Sequence, residues 1–131
     1  MGTGARLTAV RPAKGGDVNH QISPEMRECI ANCTECHNIC TETAQHSLGL
    51  GGPRADPHYI HVLLDCAQMC ATSADFMLRG SELHGRVCGV CAEACDRCAE
   101  ECERLANGDE TIRRCAEICR RCAESCRRMA A

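Results

Sequence analysis

The 131-residue chain has no tryptophan, one phenylalanine (Phe76) and one tyrosine (Tyr59). The aromatic side chains that dominate most cores are missing, so a chain of single-domain length must fill its interior with something else. Lysine occurs once, at Lys14, and a net charge of −3 leaves no basic footprint for nucleic acid. No apolar run approaches the roughly 20 residues of a membrane span. The opening MGTGARLTAVRPAKGGDVNHQ holds no apolar export core and no twin-arginine pair, and Arg6 interrupts a myristoylation pattern. A cytoplasmic protein that binds neither nucleic acid nor membrane is expected.

What fills the gap is cysteine, 15 residues of it. An odd number cannot pair completely within one chain, and the cytoplasm keeps thiols reduced. Two segments repeat: CAEACDRCAEEC at Cys91 to Cys102 and CAEICRRCAESC at Cys115 to Cys126, identical at nine of twelve positions and 24 residues apart.

Punctuation divides the chain into four helices. Residues 1–21 are Gly-rich and unpatterned, and read as a loose N-terminal arm preceding a bundle over 22–131. Ser23-Pro24 and Asp56-Pro57 are each an N-cap followed by proline at the first helical position. The first helix is expected from about 24 to 48, ending at Gly49, Gly51, Gly52 and Pro53, and the second from 57 to about 79. Gly80 followed by Ser81 reads as a stop and an immediate new start, and Asn107-Gly108-Asp109 turns a third helix into a fourth. Connections this short make neighbours antiparallel, giving an all-α, up-down-up-down four-helix bundle. Glu93/Arg97, Glu100/Arg104, Glu110/Arg114, Glu117/Arg121 and Glu124/Arg128 are spaced for i, i+4 ion pairs on solvated faces.

Spacings of 3 and 4 keep residues on one face of a helix. The first helix carries Cys29, Cys33, Cys36 and Cys40, and the second Cys66 and Cys70. The third carries Cys88, Cys91, Cys95, Cys98 and Cys102, and the fourth Cys115, Cys119, Cys122 and Cys126. Each set spans an arc of roughly 80°, the seam that a bundle turns inward. Packing alone accounts for one or two buried thiols, not for a seam of them. Disulfides are poorly served by consecutive cysteines on one straight helix.

Metal binding explains the pattern. Thiolates at i and i+4 start about 6 Å apart at Cβ, within reach of one ion. Zinc favours closed four-ligand sites on turns, and a common bacterial iron–sulfur motif, CxxCxxCxxxCP, is absent. Cu(I) accepts two or three sulfurs, and one thiolate can bridge two ions, so a column of thiols becomes a column of sites. Each Cu⁺ also meets about one thiolate, which limits the penalty of burying charge.

Through CIANCTECHNIC, CAQMC, CGVCAEACDRCAEEC and CAEICRRCAESC, the chain resembles the Csp copper-storage proteins over residues 22 to 129. The lack of export signals makes it similar to their cytosolic branch. The resemblance implies a non-enzymatic store of multiple Cu(I) ions held by cysteine thiolates, in a homotetramer of bundles, buffering and detoxifying copper. Partners would be copper donor or acceptor proteins or small thiols. The competing readings are a sensor or chaperone binding few Cu(I) or zinc ions, and an iron–sulfur protein.

Other soft ligands project onto the same seam. Met26, Met77, His84 and Met129, one per helix, are expected at one bundle end as mouth ligands, or as plain plugs. Tyr59, Val62 and Leu63 interrupt the second helix's cysteine pattern at the other end. His58, His61 and Asp65 form a stripe at or beyond the seam's edge, solvated, intersubunit or an alternative gateway. His37 and His46 read as ordinary surface residues. Gly85 and Gly89 share one face, for close helix approach or local softness.

Overall fold

The computed structural model describes residues 22–131. Among them are four helices: α1 Pro24–Leu50, α2 Pro57–Leu78, α3 His84–Ala106 and α4 Glu110–Ala130, with a 3-10 turn at Gly52–Ala55. The expected arm over 1–21 lies outside the described residues.

Local chemistry sets the boundaries. Ser23 Oγ accepts from Met26 N at 3.1 Å, Asp56 caps α2 by accepting from His58 N at 3.1 Å, and Asp109 caps α4 by accepting from Ile112 N at 2.9 Å. The α2–α3 junction departs from expectation. Gly80, at φ 67°, closes α2 with hydrogen bonds from Gly80 N to Met77 O and Ser81 N to Phe76 O. Ser81 Oγ then accepts from Leu83 N at 3.0 Å, and that turn delays α3 until His84.

Each helix packs against its sequence neighbours, and α1 against α4, in an up-down-up-down bundle. Sulfur pairs fix the directions: Cys29/Cys126 and Cys40/Cys115 run antiparallel across α1 and α4. Side-chain ties also join elements that the sequence leaves unconnected. His37 Nδ1 donates to Ala67 O at 2.9 Å, and His46 pairs with Asp109 at 2.9 Å. Neither is an ordinary surface histidine, because each spans two helices. Arg54 donates to Leu105 O and Ala106 O at 2.9 and 2.6 Å, covering carbonyls at the end of α3.

The charged faces are also partly redirected. Glu93/Arg97 and Glu124/Arg128 pair along their helices, whereas Arg114 and Arg121 both reach Glu35 on α1. Arg104 turns to Glu101, and Arg120 and Arg127 both meet Asp96 on α3. For Arg114 and Arg121, antiparallel packing brings Glu35 of the neighbouring helix to 3.8 and 2.6 Å. Being exposed, such pairs contribute little individually.

Candidate metal centre

All 15 cysteines are free thiols and fully buried. Helical spacing puts them on the inward faces, and antiparallel packing stacks the faces into one column. At one end Cys29 lies 3.7 Å from Cys126, which lies 3.5 Å from Cys33. Cys70 continues the path, 3.9 Å from Cys122, 3.7 Å from Cys91 and 3.6 Å from Cys95. Cys36 touches Cys40, Cys66, Cys95 and Cys119 between 3.7 and 4.0 Å. Cys40 passes the chain on to Cys98 and Cys115, both at 3.8 Å.

Five four-thiol groups have all their sulfurs within 4.8 Å of one another: Cys33/Cys91/Cys122/Cys126, Cys70/Cys91/Cys95/Cys122, Cys36/Cys66/Cys70/Cys95, Cys36/Cys40/Cys66/Cys119 and Cys40/Cys98/Cys115/Cys119. With metal–sulfur bonds of about 2.3 Å, two sulfurs lie about 3.8 Å apart on a tetrahedron, about 4.0 Å on a trigonal plane and about 4.6 Å on a line. The column already stands near these values. The groups overlap, so ions that share thiolates use the whole column, while ions demanding four private sulfurs use only part of it.

The thiols titrate as one array. Hydrogen bonds from Cys122 and Cys126 pull the Cys33 thiol far below its ordinary value, and Cys119 and Cys122 do the same for Cys36. Their partners move the other way: Cys70 and Cys95 are pushed far up, first by Cys122 and also by burial. A sulfur becomes thiolate at its neighbours' expense, so only an incoming cation lets adjacent sulfurs ionise together.

The match to the copper storage protein family model extends over residues 22–131. The chain belongs to the copper storage protein family. Its fold is similar to that of a protein from Nitrosospira multiformis, Nmul_A1745 (42% identity, TM-score 0.76, covering 81% of this chain and 94% of that one). It is also similar to the Cu(I)-bound Bacillus subtilis copper storage protein BsCsp3 (29%, 0.75, 82% and 99%). A third similar structure is the Streptomyces lividans copper storage protein Ccsp loaded with 10 copper equivalents (31%, 0.75, 92% and 92%). No curated protein matches significantly. Family, fold and thiol column agree on storage of multiple Cu(I) ions rather than on a sensor, chaperone or iron–sulfur protein.

Of the other soft residues, Met77 is fully buried, and Met26, His84 and Met129 are half-buried, all at the end where α1 begins. His84 Nδ1 lies 3.0 Å from Ser81 O, which leaves Nε2 as the free ring nitrogen. His58, His61 and Asp65 are exposed and line a groove between α2 and α3 with Met69, Val90 and Ala94, outside the thiol column. Tyr59 and Leu63 are buried as expected, but Val62 is only half-buried, at the edge of that groove.

The residues missed at the sequence level are hydroxyls. Thr43, Ser47 and Ser73 are fully buried. Tyr59 OH lies 3.7 Å from Cys102 Sγ and accepts from Ser47 Oγ at 3.4 Å. The signal was in the register: Cys36, Cys40, Thr43 and Ser47 repeat the 4, 3, 4 spacing of the cysteine motif, as do Cys66, Cys70, Ser73 and Met77.

Proposed function

We propose that the bundle over 22–131 is a cytoplasmic Cu(I) store in which all 15 cysteines serve as ligands, with residues 1–21 as an arm. The carrying observation is the unbroken run of sulfur contacts from Cys29 to Cys115. Copper enters at the end where α1 begins. There Met26, Met77, His84 and Met129 offer thioether and imidazole donors, weaker than thiolate and suited to handover. The opposite end is closed by Tyr59, Leu63 and Ile112, all fully buried. Cytoplasmic placement is supported by a Streptomyces lividans relative described as cytosolic. Assembly into a homotetramer is supported by exposed apolar side chains on adjacent helices, Leu64 and Val90 among them. Donor or acceptor proteins or small thiols exchange copper with the store.

The test is anaerobic Cu(I) titration of reduced protein against a coloured competing chelator. A plateau on the order of 10 to 15 tightly bound ions per chain supports bulk storage, and a plateau of about one to four overturns it. Light scattering on the same sample reads the subunit number.

A further inference from the structure

The thiol column is incomplete at one inward position near its open end. On α2 the row Cys66, Cys70, Ser73, Met77 keeps the 4, 3, 4 register, so Ser73 stands where the register calls for a third cysteine. Ser73 is fully buried, and its Oγ lies 3.2 Å from Cys88 Sγ. The neighbouring sulfurs Cys29 and Cys88 belong to none of the five four-thiol groups, while Cys33, one turn deeper on α1, does. The outermost thiols are therefore sparser than the column beneath them, and the missing sulfur is the one that Ser73 replaces.

A hydroxyl oxygen is a hard donor that Cu(I) does not favour over thiolate. Its O–H, however, donates well to a thiolate sulfur, and such a bond occupies electron density that a second copper would otherwise use. We propose that Ser73 is a positioning residue that keeps Cys88 a terminal rather than bridging ligand, and so sets how fast the outermost copper exchanges. Deeper ions, sharing sulfurs among four-thiol groups, leave slowly. The ion at the Ser73 level leaves quickly, and a store needs such an ion if it is to give copper up through a buried column. This assignment rests on the storage reading and concerns rate, not capacity.

Copper-loaded full-length protein is mixed anaerobically with excess Cu(I) chelator, and release is followed in time for the parent, Ser73→Cys and Ser73→Ala. The parent shows a fast phase of a small fraction of its copper, followed by slow release. Ser73→Cys completes the row, and its fast phase slows by about tenfold or more, in the range by which outer-sphere changes alter metal sites. Ser73→Ala keeps the parent's copper plateau, yet its fast phase also slows, because Cys88 is freed to bridge. A purely structural role predicts the opposite sign for alanine, since a small void at the open end loosens the packing and speeds release. An alanine variant that releases as fast as the parent or faster, or a cysteine variant that retains the parental fast phase, overturns the assignment. A parental plateau of only a few ions instead removes the storage reading, and the assignment with it.

Discussion

Cys33 and Cys126, 93 positions apart in the sequence, bring their sulfurs to 3.5 Å. Helical periodicity aims each thiol inward, and antiparallel pairing of α1 with α4 makes them meet. Sharing follows from such meetings. Cys36 belongs to two four-thiol groups, whereas Cys29 belongs to none. Cys36→Ser should therefore lower the Cu(I) plateau by about two ions, and Cys29→Ser by at most about one, since one thiolate bridges about two coppers. Equal losses in the two variants, measured by competitive titration, would count against a bridged column.

Zinc should fill the column poorly. At most three of the four-thiol groups can be filled together without sharing a sulfur: Cys33/Cys91/Cys122/Cys126, Cys36/Cys66/Cys70/Cys95 and Cys40/Cys98/Cys115/Cys119. Each closed zinc site with four thiolates keeps two net negative charges in the core, whereas a Cu(I)–thiolate column approaches neutrality. Elemental analysis after zinc loading is expected to plateau at no more than three tightly bound ions per chain.

Copper uptake should release protons. Cys70, Cys95 and Cys126 are held protonated by neighbouring thiols and by burial, so binding has to displace those protons. Unbuffered titration near neutral pH should record proton release of less than one per Cu(I), because Cys33 and Cys36 are held below their ordinary value and give up no proton, and apparent affinity should fall as pH is lowered. A titration that releases no protons would mean that the empty column is already ionised.

At the end where α4 begins, Asp109 combines an N-cap with the His46 pair. Burial opposes its ionisation, but the Ile112 amide and His46 outweigh it and hold the carboxyl below its ordinary 3.8. A depressed folded value stabilises the protein above the unfolded value, and that gain is lost as pH falls through the folded one. Asp109→Ala should thus cost about 1 kcal/mol at neutral pH, with the difference fading only in acid below pH 3.8. Denaturation of metal-free protein at several pH values checks both the size and the sign.

Gly89 lies within α3, where a Cβ would sit 3.7 Å from Ala130 Cβ, an ordinary contact. Close helix approach therefore does not require glycine there. Gly89→Ala should stabilise the metal-free bundle by up to about 1 kcal/mol through helix propensity, raising Tm. A lower Tm would show that the two helices pack more tightly than this spacing indicates.

Cysteine periodicity by itself determined the helical fold, the face each thiol occupies and the preference for a soft ion, because a 3, 4 spacing has one geometric meaning on an α-helix. Ser23-Pro24, Asp56-Pro57 and Asn107-Gly108-Asp109 located three of the four helix starts, since capping depends on neighbours in sequence. The start of α3 at His84 was not legible there, because a turn closed by Ser81 competes with a cap at the same residue. Only the tertiary structure decided which sulfurs meet and that His37 and His46 each tie two helices together. It also decided that Ser73 Oγ stands 3.2 Å from Cys88 Sγ. Those relationships join residues from different helices, and a pattern within one helix carries no information about what faces it.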